Sequence, residues 1–364
     1  MRAAVFHEVG QPLTVEEIEV DVPGPREVLV DTAASGVCHS DLHLVEGLHD
    51  IAMMGGAPAI LGHEGAGIVA AVGDAVTDFA PGDHVIGCSS VFCGNCDFCL
   101  AGQTHLCRSP STRRRRSDPP RYTWNGARVT QFAGLATYAE QMLVHENSLV
   151  KIRDDMPLDK AALIGCAVTT GVGAALNTAR VEPGSTVAVF GAGGIGLSAI
   201  QGARIAGARM IIAVDVFESK LGTAREFGAT HSVDASTSDP VDAIRELTGG
   251  GADYTFEAIG LKSAVEQCFE AIRRGGLATI VGVMPQGQKV ELDGVSFLQE
   301  KKIQGSSMGS NRFRIDIPRY IEFYRQGRLL LDEMVTRTGR LDDLNEAFRA
   351  MKAGEVARTV LTMD

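Results

Sequence analysis

The sequence has no run of eighteen consecutive apolar residues, about the least that a membrane-crossing helix needs. Its opening Met1-Arg2-Ala3-Ala4-Val5-Phe6 turns polar too early for a secretory leader. A cytoplasmic protein with no membrane partner is therefore expected. Positive charge is also short: 34 Lys and Arg face 45 Asp and Glu, leaving a net charge of −11 that argues against nucleic acid as the main partner. No internal repeat or low-complexity linker is present. Cysteine is sparse outside one segment: of eight, four lie between residues 93 and 107. In a reducing compartment such thiols are expected to hold metal rather than to form disulfides.

The composition is that of an ordinary globular chain, 45% hydrophobic and 22% charged. At 364 residues it exceeds a typical single core, so two domains are expected. Up to about residue 165 short β-like runs (28–33, 65–72, 83–87) are broken by Gly and Pro, which predicts a compact, irregular β domain. From residue 167 strand-like runs (186–190, 210–214, 253–257, 278–283, 302–306) alternate with helix-like ones (195–206, 218–227), the pattern of βαβ units and a parallel sheet. Helical texture returns at 317–326 and 341–353, and the chain closes on a β-like 358–361. The expected division is a catalytic domain over 1–166, a nucleotide domain over 167–309, and a return to the first domain over 310–364.

Cys93-x-x-Cys96-x-x-Cys99-x7-Cys107 lets one loop wrap a tetrahedral Zn²⁺ with four thiolates and no open position, a site that folds a lobe and does no chemistry. Gly191-Ala192-Gly193-Gly194-Ile195-Gly196 follows an apolar strand and opens a helix. Gly191 permits a tight turn, Gly193 lets backbone approach a pyrophosphate, and Gly196 allows close helix–strand packing. The free N–H groups of the helix start then face the diphosphate. Asp215 ends the next strand, nineteen residues after Gly196, where it can accept from the adenosine ribose hydroxyls. It would repel a 2′-phosphate, and Val216 and Phe217 offer no cation for one, so NAD is expected rather than NADP. Cys88 and Cys268 are left over as small buried residues.

A third constellation comprises Cys38-His39-Ser40-Asp41-Leu42-His43, Gly62-His63-Glu64 and Gly165-Cys166. With the four-cysteine lobe, the Gly-rich turn, the acidic Asp215 and the closing Arg358-Thr359-Val360-Leu361, the chain resembles, over essentially its whole length, the zinc-containing alcohol dehydrogenases of the medium-chain dehydrogenase/reductase superfamily. It looks closest to the class III-like bacterial branch. The resemblance implies an α/β fold: a Rossmann doubly wound parallel sheet plus a GroES-like irregular β-barrel catalytic domain with a structural zinc lobe. It implies two Zn²⁺ per chain, with Cys38, His63 and Cys166 on the catalytic ion and Cys93, Cys96, Cys99 and Cys107 on the structural one. Ser40 would hydrogen-bond the substrate oxygen, His43 would pass the proton outward, Asp41 would orient His63, and Glu64 would stand beside the zinc. His39 and Arg358 would contact the pyrophosphate, Lys220 the adenosine ribose and Thr170 the nicotinamide, and Val281 would also bind the cofactor. The implied reaction is NAD(H)-dependent interconversion of alcohols with aldehydes or ketones. A permanently bound NAD, oxidation of thiol adducts, and a non-catalytic zinc- and nucleotide-binding scaffold are the alternatives. The family's habit implies a homodimer or homotetramer, with 278–283 near the pairing edge.

Two features depart from the pattern. The loop Leu48-His49-Asp50-Ile51-Ala52-Met53-Met54-Gly55-Gly56-Ala57-Pro58 is longer than usual and would border the substrate channel, and Ser89 stands where relatives often carry an aromatic. Arg113-Arg114-Arg115-Arg116 follows the zinc lobe. It reads either as a solvated loop or as a recruiter of a substrate's anionic tail.

Overall fold

The computed structural model describes residues 1–48, 55–115 and 117–363. The loop residues 49–54 and Arg116 lie outside the described residues. The chain forms two compact units. One comprises Met1–Cys166, Arg312–Glu322 and Leu331–Asp364; the other comprises Ala167–Asn311 and Phe323–Leu330. The short piece Phe323–Leu330 thus groups with the second unit, although the sequence pattern predicts 310–364 to be wholly with the first.

The first unit is an irregular β-barrel built around the strand Glu27–Gly36. That strand pairs with Gly65–Val72, Gln141–His145 and Arg358–Thr362, all antiparallel. Its sequence, EVLVDTAASG, is buried along most of its length because it is flanked on both edges, so the alternation seen in a half-solvated strand is blurred. A smaller sheet joins Thr130–Gln131, Ala59–Ile60, Arg2–Phe6 and Thr14–Glu17 in that order. Between them lie apolar clusters, one of them centred on Val5, Ile60, Tyr122 and Leu143. The consequence for function is positional. At one end of Glu27–Gly36, Gly36 donates its amide to the Glu64 carbonyl (2.8 Å). At the other end, Glu27 pairs in register with His145.

The second unit is a six-stranded parallel sheet in the order His231–Asp234, Met210–Asp215, Thr186–Phe190, Ala252–Glu257, Ile272–Ile280, Lys302–Gly305. Strand order reverses at Thr186–Phe190, the topological switch point of a doubly wound sheet, and the Gly-rich turn leaves from its carboxyl end. TVAVF is buried at all five positions, as a central parallel strand covered on both faces must be. The helix Pro240–Thr248, unmarked in the sequence pattern above, is set by a local device: Asp239 caps it by accepting from the Val241 and Asp242 amides, with Pro240 at the first helical position. The strand predicted over 278–283 ends at Ile280, where the Val281 and Gly282 amides turn back onto the Glu257 carbonyl (2.9 and 3.0 Å). It is also internal, because Lys302–Gly305 pairs outside it and forms the sheet edge. Cys88 and Cys268 are fully buried, and burial pushes the Cys88 thiol up to about 11. Among the described residues one helical run, Leu158–Ala179, is long and apolar enough to cross a bilayer, and most of it is buried in the fold.

Candidate metal centres and nucleotide turn

The four-cysteine loop closes on itself. Cys96 starts the short helix Asp97–Leu100 and Cys107 follows the turn Thr104–Leu106. The sulfurs stand 3.9 Å apart for Cys93 and Cys99, 3.5 Å for Cys96 and Cys99, and 3.8 Å for Cys96 and Cys107. A Zn–S bond of about 2.3 Å in tetrahedral geometry places sulfurs about 3.8 Å apart, so the donor set fits zinc closely. The protons tell the same story. Backbone donation from Asn95 lowers Cys93 to about 6, while burial and its neighbours raise Cys99 to about 12. Four crowded thiolates need a cation to ionise together.

The second centre gathers residues from three places in the first unit. Cys38 precedes the helix His39–Val45, His63 and Glu64 precede the strand Gly65–Val72, and Cys166 lies in the helical stretch Ile164–Val168. Their ligand atoms all fall within 4.8 Å of one another, and all four residues are buried. Two sulfurs, one imidazole and a carboxylate form a borderline-soft set that suits zinc. Asp41 accepts the Gly62 amide (3.0 Å), the His63 Nδ1–H (3.2 Å) and the Tyr138 hydroxyl (2.8 Å). Because a carboxylate only accepts, Nδ1 carries the proton in the neutral ring, which leaves Nε2 to face the cluster with its lone pair when a cation takes the place of the second proton. Phe132 packs edge-on against the same ring, with centroids 5.6 Å apart.

The electrostatics also ask for a cation. Hydrogen bonding with Cys166 draws the Cys38 thiol well below its ordinary range, and the same bond, with burial, drives Cys166 well above it. Burial works against a charged His63, yet Asp41 and Cys38 hold its pKa well up. Burial raises Glu64. One Glu64 oxygen takes the Arg358 guanidinium, while Oε1 is buried with no hydrogen-bond partner among the described residues. A dication at the cluster would replace these shared protons and give Oε1 a counter-charge.

The remaining candidates fall on either side of this centre. Ser40 is half-buried, with Oγ 3.9 Å from Cys38 Sγ, and His43 lies one turn on along the same helix. His39 is exposed, 6.3 Å from the His43 ring. Arg358 is 6% exposed and pairs with Glu64; its Nε is buried without a partner among the described residues.

In the second unit, Gly191 takes φ +94°, a conformation that disfavours any side chain, and a Cβ at Gly196 would overlap the Gly191 carbonyl oxygen. A Cβ at Gly193 would meet nothing within 4 Å, which leaves open the space a diphosphate needs at the start of the helix Gly194–Ala206. Asp215 is 9% exposed; it accepts the Ala192 amide (2.8 Å) through one oxygen and the Val216 and Phe217 amides (2.8 and 3.1 Å) through the other. The carboxylate is thereby locked beside the turn with lone pairs left for ribose hydroxyls. Lys220 lies over the Phe217 ring, 5.0 Å from its centroid. Thr170 and Val281 are buried, and Thr170 Oγ1 is 3.5 Å from Met308 Sδ.

The arginine run does not behave as a unit. Arg114 turns inward and binds both oxygens of Glu27 (3.0 Å each from Nε), the Asp21 carboxylate and the carbonyls of Val22 and Pro119. It belongs to the far end of Glu27–Gly36, roughly 30 Å along the strand from the Glu64 end at about 3.3 Å per residue. An Arg114 role in holding a substrate tail at the metal cluster is therefore excluded by geometry; Arg113 and Arg115 are exposed. Sequence reasoning missed Tyr138, Phe132 and Glu27. No local pattern marks the two aromatic residues, because their partners are distant in the chain.

Comparison with known proteins agrees with this geometry. The alcohol dehydrogenase GroES-like domain family matches residues 24–154, and the zinc-binding dehydrogenase family matches 194–325. An alcohol dehydrogenase class-3 from Myxine glutinosa is 40% identical over 100% of this chain and 97% of its own length. Among solved structures, an alcohol dehydrogenase zinc-binding domain protein from Burkholderia ambifaria superposes with TM-score 0.94 at 35% identity, covering 100% of this chain and 98% of its own. The benzyl alcohol dehydrogenase of Acinetobacter calcoaceticus superposes with TM-score 0.92 at 32% identity, covering 100% and 99%.

Proposed function

We propose that this chain, which belongs to the zinc-containing alcohol dehydrogenases of the medium-chain dehydrogenase/reductase superfamily, oxidises alcohols to aldehydes or ketones with NAD⁺ and runs the reverse reduction with NADH at the Cys38–His63–Glu64–Cys166 cluster. The observation that carries the reading is that cluster itself: a buried donor set whose imidazole tautomer is fixed by Asp41. Zinc held there would lower the pKa of an alcohol hydroxyl, and NAD⁺ would accept the hydride from carbon. The chain's own residues do the rest. Asp41 and Tyr138 lock His63, Ser40 Oγ takes the hydroxyl proton, and the His43 imidazole, three residues on, relays it toward solvent. Two thiolates and a neutral imidazole would leave the site close to neutral, so that an alkoxide is stabilised without being trapped. In the second unit, Gly193 and the helix start receive the pyrophosphate, and Asp215 receives the ribose and repels a 2′-phosphate. The benzyl alcohol relative makes an aromatic primary alcohol the first substrate to try.

Metal analysis with NADH absorbance tests the reading. Two zincs per chain are expected, with benzyl alcohol oxidised by NAD⁺ far faster than by NADP⁺. One zinc, held only by the four-cysteine lobe after a zinc-replete preparation, together with no alcohol-dependent NADH, would overturn it. The reducing cytoplasm is the compartment that suits eight unbridged cysteines.

The chain also pairs with copies of itself, as a dimer or tetramer. Among the described residues no further strand pairs outside Lys302–Gly305 at one edge of the parallel sheet, and Val295, Phe297 and Leu298 are exposed just before it, Leu298 by 85%. An open edge beside apolar side chains favours association. Leu298→Glu is expected to shift the mass measured by light scattering toward the monomer; an unchanged oligomer would place the interface elsewhere.

A further inference from the structure

A cavity of about 440 Å³ opens at the end of Glu27–Gly36 remote from the metal cluster, a volume within the range of small-molecule sites. Its lining is unusual for a chain of net charge −11, because it gathers Arg26, Arg113, Arg114 and Arg121. The carboxylates beside them are already committed. Glu27 is held by Arg114 and Arg121, Asp21 by Arg114, and Asp118 by the Arg115 amide. His145 lines the same cavity and is 6% exposed. Its Nδ1 accepts the Asn147 amide (3.0 Å), so the proton sits on Nε2, which has no partner among the described residues. Burial, with the charge of Arg26, lowers this imidazole to about 4, so it stays neutral near pH 7. The Arg113 side chain makes no hydrogen bond or ion pair among the described residues; its amide donates to the Pro110 carbonyl (3.0 Å). Arg26 spends Nε on Glu146 (2.6 Å) and keeps its terminal nitrogens. Pro23, Pro25 and Pro119 supply rigid apolar surface.

We propose that this cavity is a second ligand site, which binds a small organic anion, a carboxylate or phosphate ester on an apolar body, through Arg113, the terminal nitrogens of Arg26 and the Nε2–H of His145. The apolar body lies against the prolines. The guanidinium forks match the planar or tetrahedral oxygens of such a head group. The strand length separates this site from the metal cluster by roughly 30 Å, so occupancy does not compete with the alcohol.

Calorimetric titration of the full-length, zinc-loaded protein tests it, with phenyl phosphate, benzoate and inorganic phosphate as probes. Saturable one-to-one binding of phenyl phosphate or benzoate is expected, tighter than that of inorganic phosphate, and the tighter of the two identifies the head group. Arg113→Gln, at an exposed side chain that holds nothing else, is expected to weaken it about tenfold or more while leaving alcohol turnover unchanged. Arg26→Gln should weaken it in the same sense. Absence of saturable binding by any probe, binding indifferent to Arg113→Gln, or displacement by benzyl alcohol or NAD⁺ would each overturn the proposal.

Discussion

Replacing Cys166 by alanine is expected to leave one zinc per chain instead of two and to lower kcat/KM for an alcohol roughly a thousandfold or more. The magnitude follows from the chemistry asked of the cluster. Several kcal/mol of stabilisation of a developing alkoxide comes from the ion, and each 1.36 kcal/mol is about a factor of ten in rate. The remnant of Cys38, His63 and the one Glu64 oxygen not committed to Arg358 lacks the second thiolate and would hold zinc poorly. Asp41→Asn makes the comparison sharper. All the cluster donors remain, but the group that fixes the His63 tautomer is weakened, and losses of about 10- to 100-fold in zinc affinity or activity are typical of such partners. Cys99→Ser should behave differently again, losing the other zinc and lowering Tm. Were Cys166→Ala to keep two zincs and normal turnover, the buried cluster would not be the reacting centre.

The two zinc-like sites were legible to very different degrees, for a physical reason. Cys93, Cys96, Cys99 and Cys107 occupy one loop, so their spacing alone states their geometry. The Gly-rich turn is equally local, as is the reach from Gly196 to Asp215. The second cluster draws on residues from 38 to 166, and no spacing rule connects them; only resemblance to a family did. Its supports were invisible. Tyr138 meets Asp41 across 97 residues of sequence and Arg358 meets Glu64 across 294, so neither pair leaves a periodic or local trace. The parallel strands were readable because buried runs such as Thr186–Phe190 are apolar throughout. That Lys302–Gly305 lies outside 278–280 was not readable, because strand order is set by crossovers, which composition does not encode. By contrast, the cap Asp239-Pro240 was a local signal for the helix Pro240–Thr248 that the broader alternation of strands and helices obscured.

The arginine run shows the limit most plainly, and it yields the second large effect. A string of four like charges looks solvated, yet Arg114 is a part-buried tie whose partners lie in the segment 21–27 and at Pro119. Burial would raise the Glu27 carboxyl, but the hydrogen bond from Arg114 and the charge of Arg121 hold it at about 2, against an ordinary 4.5. Arg114→Ala removes one of the two guanidiniums from a carboxylate that is 6% exposed. Breaking a buried pair from one side costs about 3–5 kcal/mol; with Arg121 still in place the lower figure applies, a fall in Tm of about 6–12 °C. Adding Glu27→Gln should recover part of the loss, because the stranded charge is then gone. The pH dependence follows from the depressed carboxylate. Its contribution to stability is present above pH 4.5 and is lost as pH falls from there toward 2. The gap in Tm between wild type and Arg114→Ala should accordingly be widest above pH 5 and narrow as the solution is acidified. A gap that stays constant with pH, or a variant as stable as wild type, would mean that Glu27 is supported by Arg121 alone and that the inward turn of Arg114 contributes nothing to the fold.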